Sequence, residues 1–554
     1  MRKFFSLVAM LLALNQSAKA QQPYTRFFVA FADKKNCGFS PLKPQEFLSA
    51  ESLRRRENQG IPISMADLPL SPSYLQLIKQ SGALILGTSK WLNGVVIEAD
   101  SMAIDLITHY EFVTEITPTG YKLKTNKKTP KKLSPIVRIK DYKREADRYG
   151  TTANQIDMLN LRVLHHLGFN AKDINLAIFD GGFQNVDYMP AFDSLFANHR
   201  LIYKQDVVET DSALYESSFH GTNVLSCIAA NMPGLAMGTG YNANIYLFKT
   251  EDVNSEMPIE EYNWLIAAET ADSLGVQVIN SSLGYYKFDD QAQSHTYNML
   301  TGNTTIITQA ANLAAQRGIL VVNSAGNEGS NEWRMIAAPA DASNILTVGA
   351  VDRHKKKASF SSFGPSASGQ IKPDVAARGS NAYVSSPYGY DTQTTSGTSF
   401  SSPIMAGAVA SLWQAAPHAT NYQLINALQL AGNQAKQPND SLGYGIPDFV
   451  KALAALNDNI AYCNDNSKNN FIGTIASQNI FLVLPAEKTL DFIKIDILSQ
   501  LGNLEKTYFY DTMKAQTRGF NLNIMGLKPG AYDIVCHYSK NDLPYRFAFC
   551  IKPW

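Results

Sequence analysis

Two short apolar runs in the middle of the chain predict buried strands of a parallel sheet. One covers residues 174–179 and ends at Asp180 and two glycines, and the other covers residues 318–322 and ends in small residues and an asparagine. Runs that are apolar on both faces are typical of strands covered by helices on two sides. The middle of the chain therefore predicts an α/β fold with a mainly parallel sheet.

The segment before this region has a different pattern. It predicts strands at residues 24–31, 94–98 and 112–117, and a short helix at residues 101–109. This alternation indicates a small open α+β domain over residues 21–140. A polar stretch rich in lysine follows from residue 122, and such a stretch is usually a solvated linker.

The last part of the chain changes character again. Asparagine and aspartate residues mark a polar boundary after residue 457, and short alternating runs with turn signals between them follow. This pattern predicts a β-sandwich over residues 458–554. The predicted strands cover residues 480–484, 490–498, 507–510, 520–524, 531–538 and 546–551.

Four polar residues stand at the ends of predicted elements. Asp180 ends the first apolar run, and ligands collect at the carboxyl edge of parallel strands. His220 lies on the first turn of a predicted helix, and Ser399 precedes a helix that is predicted to start at Pro403. Free backbone N–H groups at such a helix start can bind an oxyanion, and the amide of Asn327 can donate to the same oxyanion.

The segments around these four residues resemble the motifs of subtilisin-like serine proteases, the subtilases. The resemblance covers residues 145–457 and includes the strand segment 278–284. It implies a three-layer α/β/α sandwich, with Asp180, His220 and Ser399 as the catalytic triad and Asn327 as the oxyanion donor. One departure is Gly181, because most subtilases have Ser or Thr after the acid.

The resemblance also implies a function. We expect a serine endopeptidase that hydrolyses peptide bonds through an acyl-enzyme, with protein or peptide substrates. Residues 21–140 resemble the propeptides that occupy the cleft of subtilases as inhibitors, so we expect a zymogen that cuts itself between about residues 120 and 147. The alternative for this segment is an unrelated accessory domain.

Two other classes of function compete with this hypothesis. A catalytically silent member could keep the fold as a peptide-binding or surface-display module, but all four catalytic positions are intact. An esterase of the α/β-hydrolase type is disfavoured, because that fold orders its residues as Ser, acid, His and places the serine in a Gly-x-Ser-x-Gly elbow. No such elbow surrounds Ser399.

In subtilases the first specificity pocket lies between the segments that match residues 282–284 and 325–326. Most residues there are small, so we expect room for a sizeable apolar side chain before the cut bond. The pocket floor falls within residues 330–337, a stretch inside the matched region that does not itself align with the family. The residues that we assign to substrate binding are Ser282, Leu283, Gly284, Ala325 and Gly326.

Composition and the N-terminal pattern indicate the compartment. A net charge of +1 argues against nucleic acid as a partner. Arg2 and Lys3 precede an apolar run that ends near Leu14, and small residues lie before Gln21. This pattern predicts a secretory signal peptide over residues 1–20, and hence a secreted or surface-held protein.

The C-terminal region resembles the sorting domains of the type IX secretion system, although their opening Pro-Asn-Pro is missing. A stabilising or carbohydrate-facing module is the alternative. The sequence has five cysteines, of which Cys536 and Cys550 flank a predicted turn and could bridge a hairpin. We interpret Cys227 as a buried small apolar residue.

No His/Cys pair has the spacing of a metal site, so we expect no catalytic metal and no cofactor for the chemistry. Calcium is frequent in subtilases, but the sequence does not place a calcium site. His165 and His166 are adjacent, and we interpret both as packing or surface residues.

Overall fold

The computed structural model describes most of the chain, with gaps around the predicted linker and in the C-terminal part. The predicted signal peptide and residues 122–146 of the linker lie outside the described residues. The described ranges are 25–121, 147–209, 213–387, 389–456, 474–476, 479–483, 493–499, 502–510, 519–523, 526–528, 530–537 and 545–551.

The strands fall into sheets that follow each other along the chain. The first, antiparallel sheet has β1 (Arg26–Phe31), β2 (Leu84–Ser89), β3 (Gly94–Glu98) and β4 (Val113–Gly120). The central sheet has β5 (Asn175–Asp180), β6 (Leu201–Asp206), β9 (Asn244–Lys249), β10 (Val278–Ser281), β11 (Leu320–Ser324), β12 (Leu346–Val351) and β13 (Val375–Arg378), and two small pairs are β7 (Asn231–Met232) with β8 (Ala236–Met237) and β14 (Ala382–Ser385) with β15 (Thr392–Thr395).

Helices connect and cover these strands. The α-helices are α1 (Ala50–Asn58), α2 (Pro72–Gln80), α3 (Ser101–Thr108), α4 (Ala153–Asp157), α5 (Arg162–His166), α6 (Asp193–Ala197), α7 (His220–Ala229), α8 (Ile259–Ser273), α9 (Ile306–Gln316), α10 (Thr398–Ala415), α11 (Asn421–Leu430) and α12 (Phe449–Leu456). The 3₁₀ turns are Pro44–Glu46, Met65–Asp67, Pro190–Phe192, Ala213–Tyr215, Gln291–Gln293 and Tyr297–Met299.

The central sheet has seven parallel strands in the order β13-β12-β11-β10-β5-β9-β6. Every residue of β5 is buried, and successive side chains alternate between two cores. Leu176 and Ile178 pack with α7 and α10, whereas Ala177 and Phe179 pack with α8 and α9. The prediction of a three-layer α/β/α sandwich is confirmed, and the apolar runs reflect strands that are covered on both faces.

The first sheet has strand order β2-β3-β1-β4 and a core of its own beneath α2 and α3. The elements predicted from the sequence correspond to β1, β3, α3 and β4 within a few residues. Its other face packs on the helices that cover the central sheet, where Phe28 stacks on Tyr262 of α8 with ring centroids 4.7 Å apart. The sequence assigned nothing to residues 32–93, which form α1, α2 and β2.

The predicted β structure of the C-terminal region is confirmed as two antiparallel sheets. Strands β16 (Thr474–Ala476), β17 (Asn479–Val483) and β20 (Gly519–Asn523) form one of them, and β18 (Ile493–Ser499), β19 (Leu504–Tyr510), β21 (Gly530–His537) and β22 (Tyr545–Ile551) form the other.

The disulfide predicted between Cys536 and Cys550 is wrong. The hairpin of β21 and β22 pairs Cys536 with Tyr545 and Cys550 with Ala531, so the two cysteines are five positions out of register. At about 3.3 Å of rise per residue, this offset separates them far beyond the Cα distance that a disulfide spans. Cys536 is a free, buried thiol.

The packing roles predicted for His165 and Cys227 are confirmed. His165 lies between the Tyr149 hydroxyl at 3.1 Å and the Thr239 carbonyl at 3.0 Å, and burial lowers its pKa to about 4. Burial raises the pKa of the Cys227 thiol to about 12, so this thiol is unreactive. His166 is exposed.

A buried ion pair lies at the edge of the central sheet that is formed by β13. Lys372 is 2% exposed, and its ammonium donates to Asp374 Oδ2 at 2.7 Å, to Thr347 Oγ1 at 3.3 Å and to the Ile345 carbonyl at 3.3 Å. Asp374 also accepts from the backbone N–H of Thr347 at 2.8 Å. The charge on Asp374 therefore depends on Lys372 for its neutralisation.

Replacing Lys372 by methionine should destabilise the peptidase by about 3–5 kcal/mol, because it leaves the Asp374 carboxylate buried without a countercharge. Urea unfolding measures this loss. Lys356→Met removes an exposed lysine that follows β12 and should change stability by less than about 0.5 kcal/mol. Equal losses in the two variants would contradict a stabilising role for the buried pair.

Candidate active site

Asp180 and His220 meet where β5 ends and α7 begins. His220 Nδ1 lies 2.9 Å from both carboxylate oxygens of Asp180. Gly221 permits this approach, because a Cβ atom there would lie 2.9 Å from the Cβ of Asp180. Asp180 is 1% exposed, whereas the side chain of His220 is 39% exposed. The acid is shielded and the imidazole is accessible.

Electrostatics favour the charged form of this imidazole. Burial lowers the pKa of His220, but the Asp180 carboxylate outweighs burial, so that the pKa lies above its ordinary 6.5. The hydrogen bond to Asp180 occupies Nδ1, which then carries the proton in the neutral ring. Nε2 remains available as a proton acceptor.

Ser399 lies on the first turn of α10, which begins at Thr398. The sequence-based expectation that this helix starts at Pro403 is wrong, because Pro403 lies inside the helix. Proline has no N–H to donate to the carbonyl four residues earlier, which is that of Ser399. The Ser282 hydroxyl donates to this carbonyl at 2.9 Å instead. A side chain from the residue after β10 thus replaces the missing helical hydrogen bond.

The same turn of α10 lies beside His220. The Phe400 ring, next to Ser399 in the chain, has its centroid 5.8 Å from that of the His220 imidazole. Ser399 is 7% exposed. The fold therefore brings Asp180, His220 and Ser399 to the carboxyl edge of the central sheet, although long segments separate them in the sequence.

Asn327 is held at the start of α10 by Thr398. Its Oδ1 atom accepts from the Thr398 backbone N–H at 2.8 Å and from the Thr398 hydroxyl at 3.1 Å. The Thr398 hydroxyl in turn accepts from the Gly326 N–H at 3.1 Å. These bonds fix the amide and leave Nδ2 as its free donor group, and Asn327 is exposed to solvent. The sequence did not single out Thr398.

The residues assigned to substrate binding lie at the ends of β10 and β11, which are neighbours in the sheet. A Cβ atom on Gly284 would lie 3.2 Å from the Cβ of Ala337, and one on Gly326 would lie 3.8 Å from the Ala337 nitrogen. Ala337 therefore lies between the two walls, in the stretch where the sequence left the floor unassigned. Ser282 is turned to support α10, as its hydrogen bond to the Ser399 carbonyl shows.

A second carboxyl group lies near Asp180 and His220. Glu251 follows β9, and burial raises its pKa to about 8, although the Tyr285 hydroxyl donates to it. A Cβ atom on Gly181 would lie 2.9 Å from Val253 Cγ1 and 3.6 Å from the Cβ of Glu251. The loop after β9 therefore fills the space that a side chain at position 181 would need, which explains the departure noted in the sequence. Only the fold brings Glu251 to this place.

The last described residues of the first domain lie against the same loop. β4 ends at Gly120, where a Cβ atom would lie 2.9 Å from Met257 Sδ. Gln293 Nε2 donates to the Pro118 carbonyl at 3.2 Å, and Thr119 is fully buried. The chain thus leaves the first domain beside the loop that carries Glu251.

Comparison with known proteins identifies these domains. Residues 171–445 match the subtilase family of S8 peptidases, and residues 26–134 match the peptidase S8 propeptide domain of Bacteroidota. Subtilisin DY from Bacillus licheniformis is 29% identical over 286 residues, which are 50% of this chain and 89% of that protein. A thermostable alkaline protease from Halalkalibacterium halodurans is 27% identical over 351 residues, 61% of this chain and 83% of that protein. The structure of the prenylagaramide maturation protease PagA aligns at 22% identity with a TM-score of 0.42, over 54% of this chain and 98% of that one.

The chain is therefore a serine endopeptidase, and its peptidase domain belongs to the subtilase family. A family-specific propeptide precedes that domain.

The structure gives two further observations on ligands and membranes. Within the described ranges, no group of three or more His, Cys, Asp or Glu side chains is arranged to hold a metal ion. No helix in those ranges has the length and apolar character that crossing a membrane requires.

Proposed function

We propose that Asp180, His220 and Ser399 form the catalytic triad of a secreted endopeptidase that is made as a self-processing zymogen. The observation that carries this proposal is the Asp180–His220 pair, with Nδ1 at 2.9 Å from both carboxylate oxygens, beside the start of α10 that carries Ser399. A serine hydroxyl is a poor nucleophile near neutral pH and needs such a base.

In the proposed reaction, Ser399 Oγ attacks the carbonyl carbon of the peptide bond while its proton moves to His220 Nε2. The Asp180 carboxylate accepts a hydrogen bond from the Nδ1–H group of His220. This bond keeps the imidazole in the correct tautomer, and the carboxylate stabilises the imidazolium that forms. The His220 proton then passes to the leaving amine, and the acyl-enzyme forms. Water repeats the sequence and releases the acid. No metal or other cofactor enters these steps.

The oxyanion of the tetrahedral intermediate needs donors that are already in place. Asn327 Nδ2 and the Ser399 backbone N–H are the proposed donors. Two bonds from Thr398 hold the amide of Asn327, so no reorganisation is needed when the negative charge develops. The backbone N–H groups at the start of α10 add a favourable dipole.

Substituting Asn327 by leucine should lower kcat by about 10²–10³, which is the loss known for the equivalent amide in subtilisin, a relative of this chain. KM should change little, because the donor acts mainly on the charge of the transition state. Steady-state kinetics on a chromogenic peptide measures both constants. Asn198→Leu, at an exposed asparagine just after α6, serves as the control, and equal losses in both variants would contradict the assignment.

Covalent labelling tests the proposed nucleophile directly. A fluorophosphonate reacts with an activated serine hydroxyl, so the mature enzyme should gain one adduct, and peptide mapping should place it on Ser399. Labelling should fall as pH drops below the raised pKa of His220. An unlabelled enzyme that still cleaves peptides, or an adduct on another serine, would refute the triad.

Small residues at Gly284, Gly326 and Ala337 support the proposed preference for a sizeable apolar side chain before the cut bond. Mapping the bonds cut in a mixed peptide library should show leucine, phenylalanine or tyrosine enriched at that position by about tenfold or more, as one or two methylene contacts allow. Enrichment of acidic or basic residues there would contradict this specificity.

The remaining parts of the proposal concern maturation and export. Residues 21–140 are proposed as the propeptide, 145–457 as the peptidase domain and 458–554 as a possible docking part for the type IX secretion machinery, with a stabilising module as the alternative. The position of Gly120 beside the loop after β9 supports a processing bond shortly after it. Deleting residues from 458 onwards in the native host distinguishes these roles, because a sorting domain is needed for export and a stabilising module is not.

A further inference from the structure

A second contact between the propeptide and the peptidase domain lies at the C-terminal ends of α8 and α9. Arg55 of α1 is 4% exposed and reaches across the interface. Its Nε atom donates to the Arg317 carbonyl at 3.1 Å, its Nη1 atom to the Val276 carbonyl at 2.6 Å, and its Nη2 atom to the carboxylate of Asp272. One guanidinium thus satisfies acceptors from both helix ends.

These acceptors need an outside partner. The last carbonyls of a helix have no intrahelical donor, and the negative end of the helix dipole favours a cation. Asp272 lies in the last turn of α8, Val276 follows that helix, and Arg317 follows α9. Gln59 adds a bond from its Nε2 atom to the Gly318 carbonyl at 2.8 Å. The propeptide therefore supplies the C-terminal caps of two peptidase helices.

Further charged side chains from both domains take part in this contact. Arg56 donates to Asp272 Oδ2 at 2.7 Å and to Asp67 Oδ1 at 3.0 Å. Lys90 lies 3.5 Å from Asp272, and Arg317 Nε lies 3.1 Å from Asp67. We name this set the Arg55 cluster, and its members are Arg55, Arg56, Asp67, Lys90, Asp272 and Arg317.

The peptidase domain in turn supplies a hydrogen-bond acceptor for buried donors of the propeptide. Glu269 of α8 accepts from the backbone N–H groups of Lys90 at 2.7 Å and Trp91 at 3.0 Å, and from the Ser89 hydroxyl at 2.5 Å. Each domain therefore satisfies buried polar groups of the other. Removing one of these partners while the domains stay together would leave its neighbours buried and unpaired, which is costly.

We propose that the Arg55 cluster is the anchor that retains the propeptide on the peptidase domain after the chain between them has been cut. The inference rests on the proposed function only in that a cut is made between the two domains. The surface of the peptidase domain around Asp272 then binds the propeptide of this chain through the Arg55 guanidinium, and not through the cleft alone.

Among the described residues, the contacts near the end of the propeptide are uncharged. They include a hydrogen bond from Gln293 to the Pro118 carbonyl and the contact of Gly120 with Met257. The cluster is buried, so salt screens it little. Burial alone would raise the pKa of Asp67, but Arg56 and Arg317 lower it to about 2, and neighbouring arginines also hold the pKa of Asp272 below its ordinary value. Both acids therefore keep their charges at mildly acidic pH.

The test uses the full chain with Ser399→Ala and a recognition site for an added, site-specific protease within residues 122–146. After cutting, size-exclusion chromatography shows whether the propeptide elutes with the peptidase domain. We expect co-elution at low and at high salt. Arg55→Met should raise the dissociation constant by about 100-fold or more. Arg54→Met, the exposed neighbour on α1, is the matched control and should behave as the parent chain.

The added protease makes the cut, so this outcome does not depend on the nucleophile, and failure of the anchor is distinct from failure of the proposed triad. Asp272→Asn should release the propeptide from the other side, because it removes the carboxylate that Arg55 and Arg56 share. If the Arg55→Met chain unfolds before cutting, Arg55→Lys replaces it, because lysine keeps the charge and loses the fork. Retention by Arg55→Met or Arg55→Lys equal to that of Arg54→Met, or dissociation of the parent chain on cutting, would overturn the proposal.

Discussion

Substituting Ser399 by alanine should abolish peptidase activity and leave the propeptide attached. In subtilisin, a relative of this chain, loss of the nucleophile costs about 10⁶ in kcat, and we expect a loss of the same order here. The residual rate would come from the oxyanion donors alone. Intact mass of the purified protein over time shows the second effect, because the unaltered enzyme should lose its propeptide and the variant should keep it.

Ser401→Ala is the matched control for this experiment. Ser401 lies on the same helix, two residues further on, and its hydroxyl donates to the Thr398 carbonyl at 3.0 Å inside the core. Its loss should cost about 1 kcal/mol of stability and little activity. If the Ser399→Ala variant lost its propeptide at the same rate as the unaltered enzyme, another protease would perform the maturation. If neither variant lost more than tenfold in activity, Ser399 would not be the nucleophile.

The sequence predicted the central part of the fold because its signals are local. A strand covered on both faces shows a run of apolar residues, and the catalytic segments carry small residues where the backbone turns. Asp180 and Asn327 could therefore be placed at strand ends before any contact was known. The propeptide elements β1, β3, α3 and β4 were predicted for the same reason, since the spacing of apolar residues in each one is that of a strand or a helix.

The segment with α1 could not be predicted in this way. Its sequence, AESLRRREN, resembles a solvated charged helix, yet its buried residues are Ser52, Arg55 and Arg56. These arginines are buried because Asp272 and the carbonyls of two helix ends lie opposite them. The countercharge comes from a distant part of the chain, so no local pattern reveals it.

The incorrect predictions have the same origin. A proline is expected near the start of a helix. Pro403 lies further in because the hydroxyl of Ser282, just after β10, donates to the Ser399 carbonyl that the proline leaves without a helical donor. The cysteine pair looked symmetric about a turn, but the register of β21 and β22 depends on the pairing of the whole hairpin. Gly181 likewise reflects the approach of Val253 and Glu251.

The second large effect is expected for Asp180→Asn. In a serine protease of another fold, the same change leaves the geometry intact but lowers kcat by about 10⁴, because the imidazole takes the wrong tautomer. The asparagine amide can donate to His220 Nδ1, so the proton moves to Nε2, where the base has to accept one. We expect a similar loss here, with KM little changed, in steady-state assays on a chromogenic peptide.

The pH profile separates this explanation from a loss of folding. The active enzyme has a neutral His220, so kcat/KM falls as pH drops through its pKa, which the Asp180 carboxylate holds above 6.5. Without that charge, burial lowers the pKa, and the acidic limb of the profile should move to lower pH. Asp206→Asn is the control, because Asp206 ends a strand of the same sheet but pairs with Lys249 at 2.9 Å. That variant should lose stability and keep the position of the limb, whereas an unmoved limb in Asp180→Asn would show that Asp180 does not set the charge on the base.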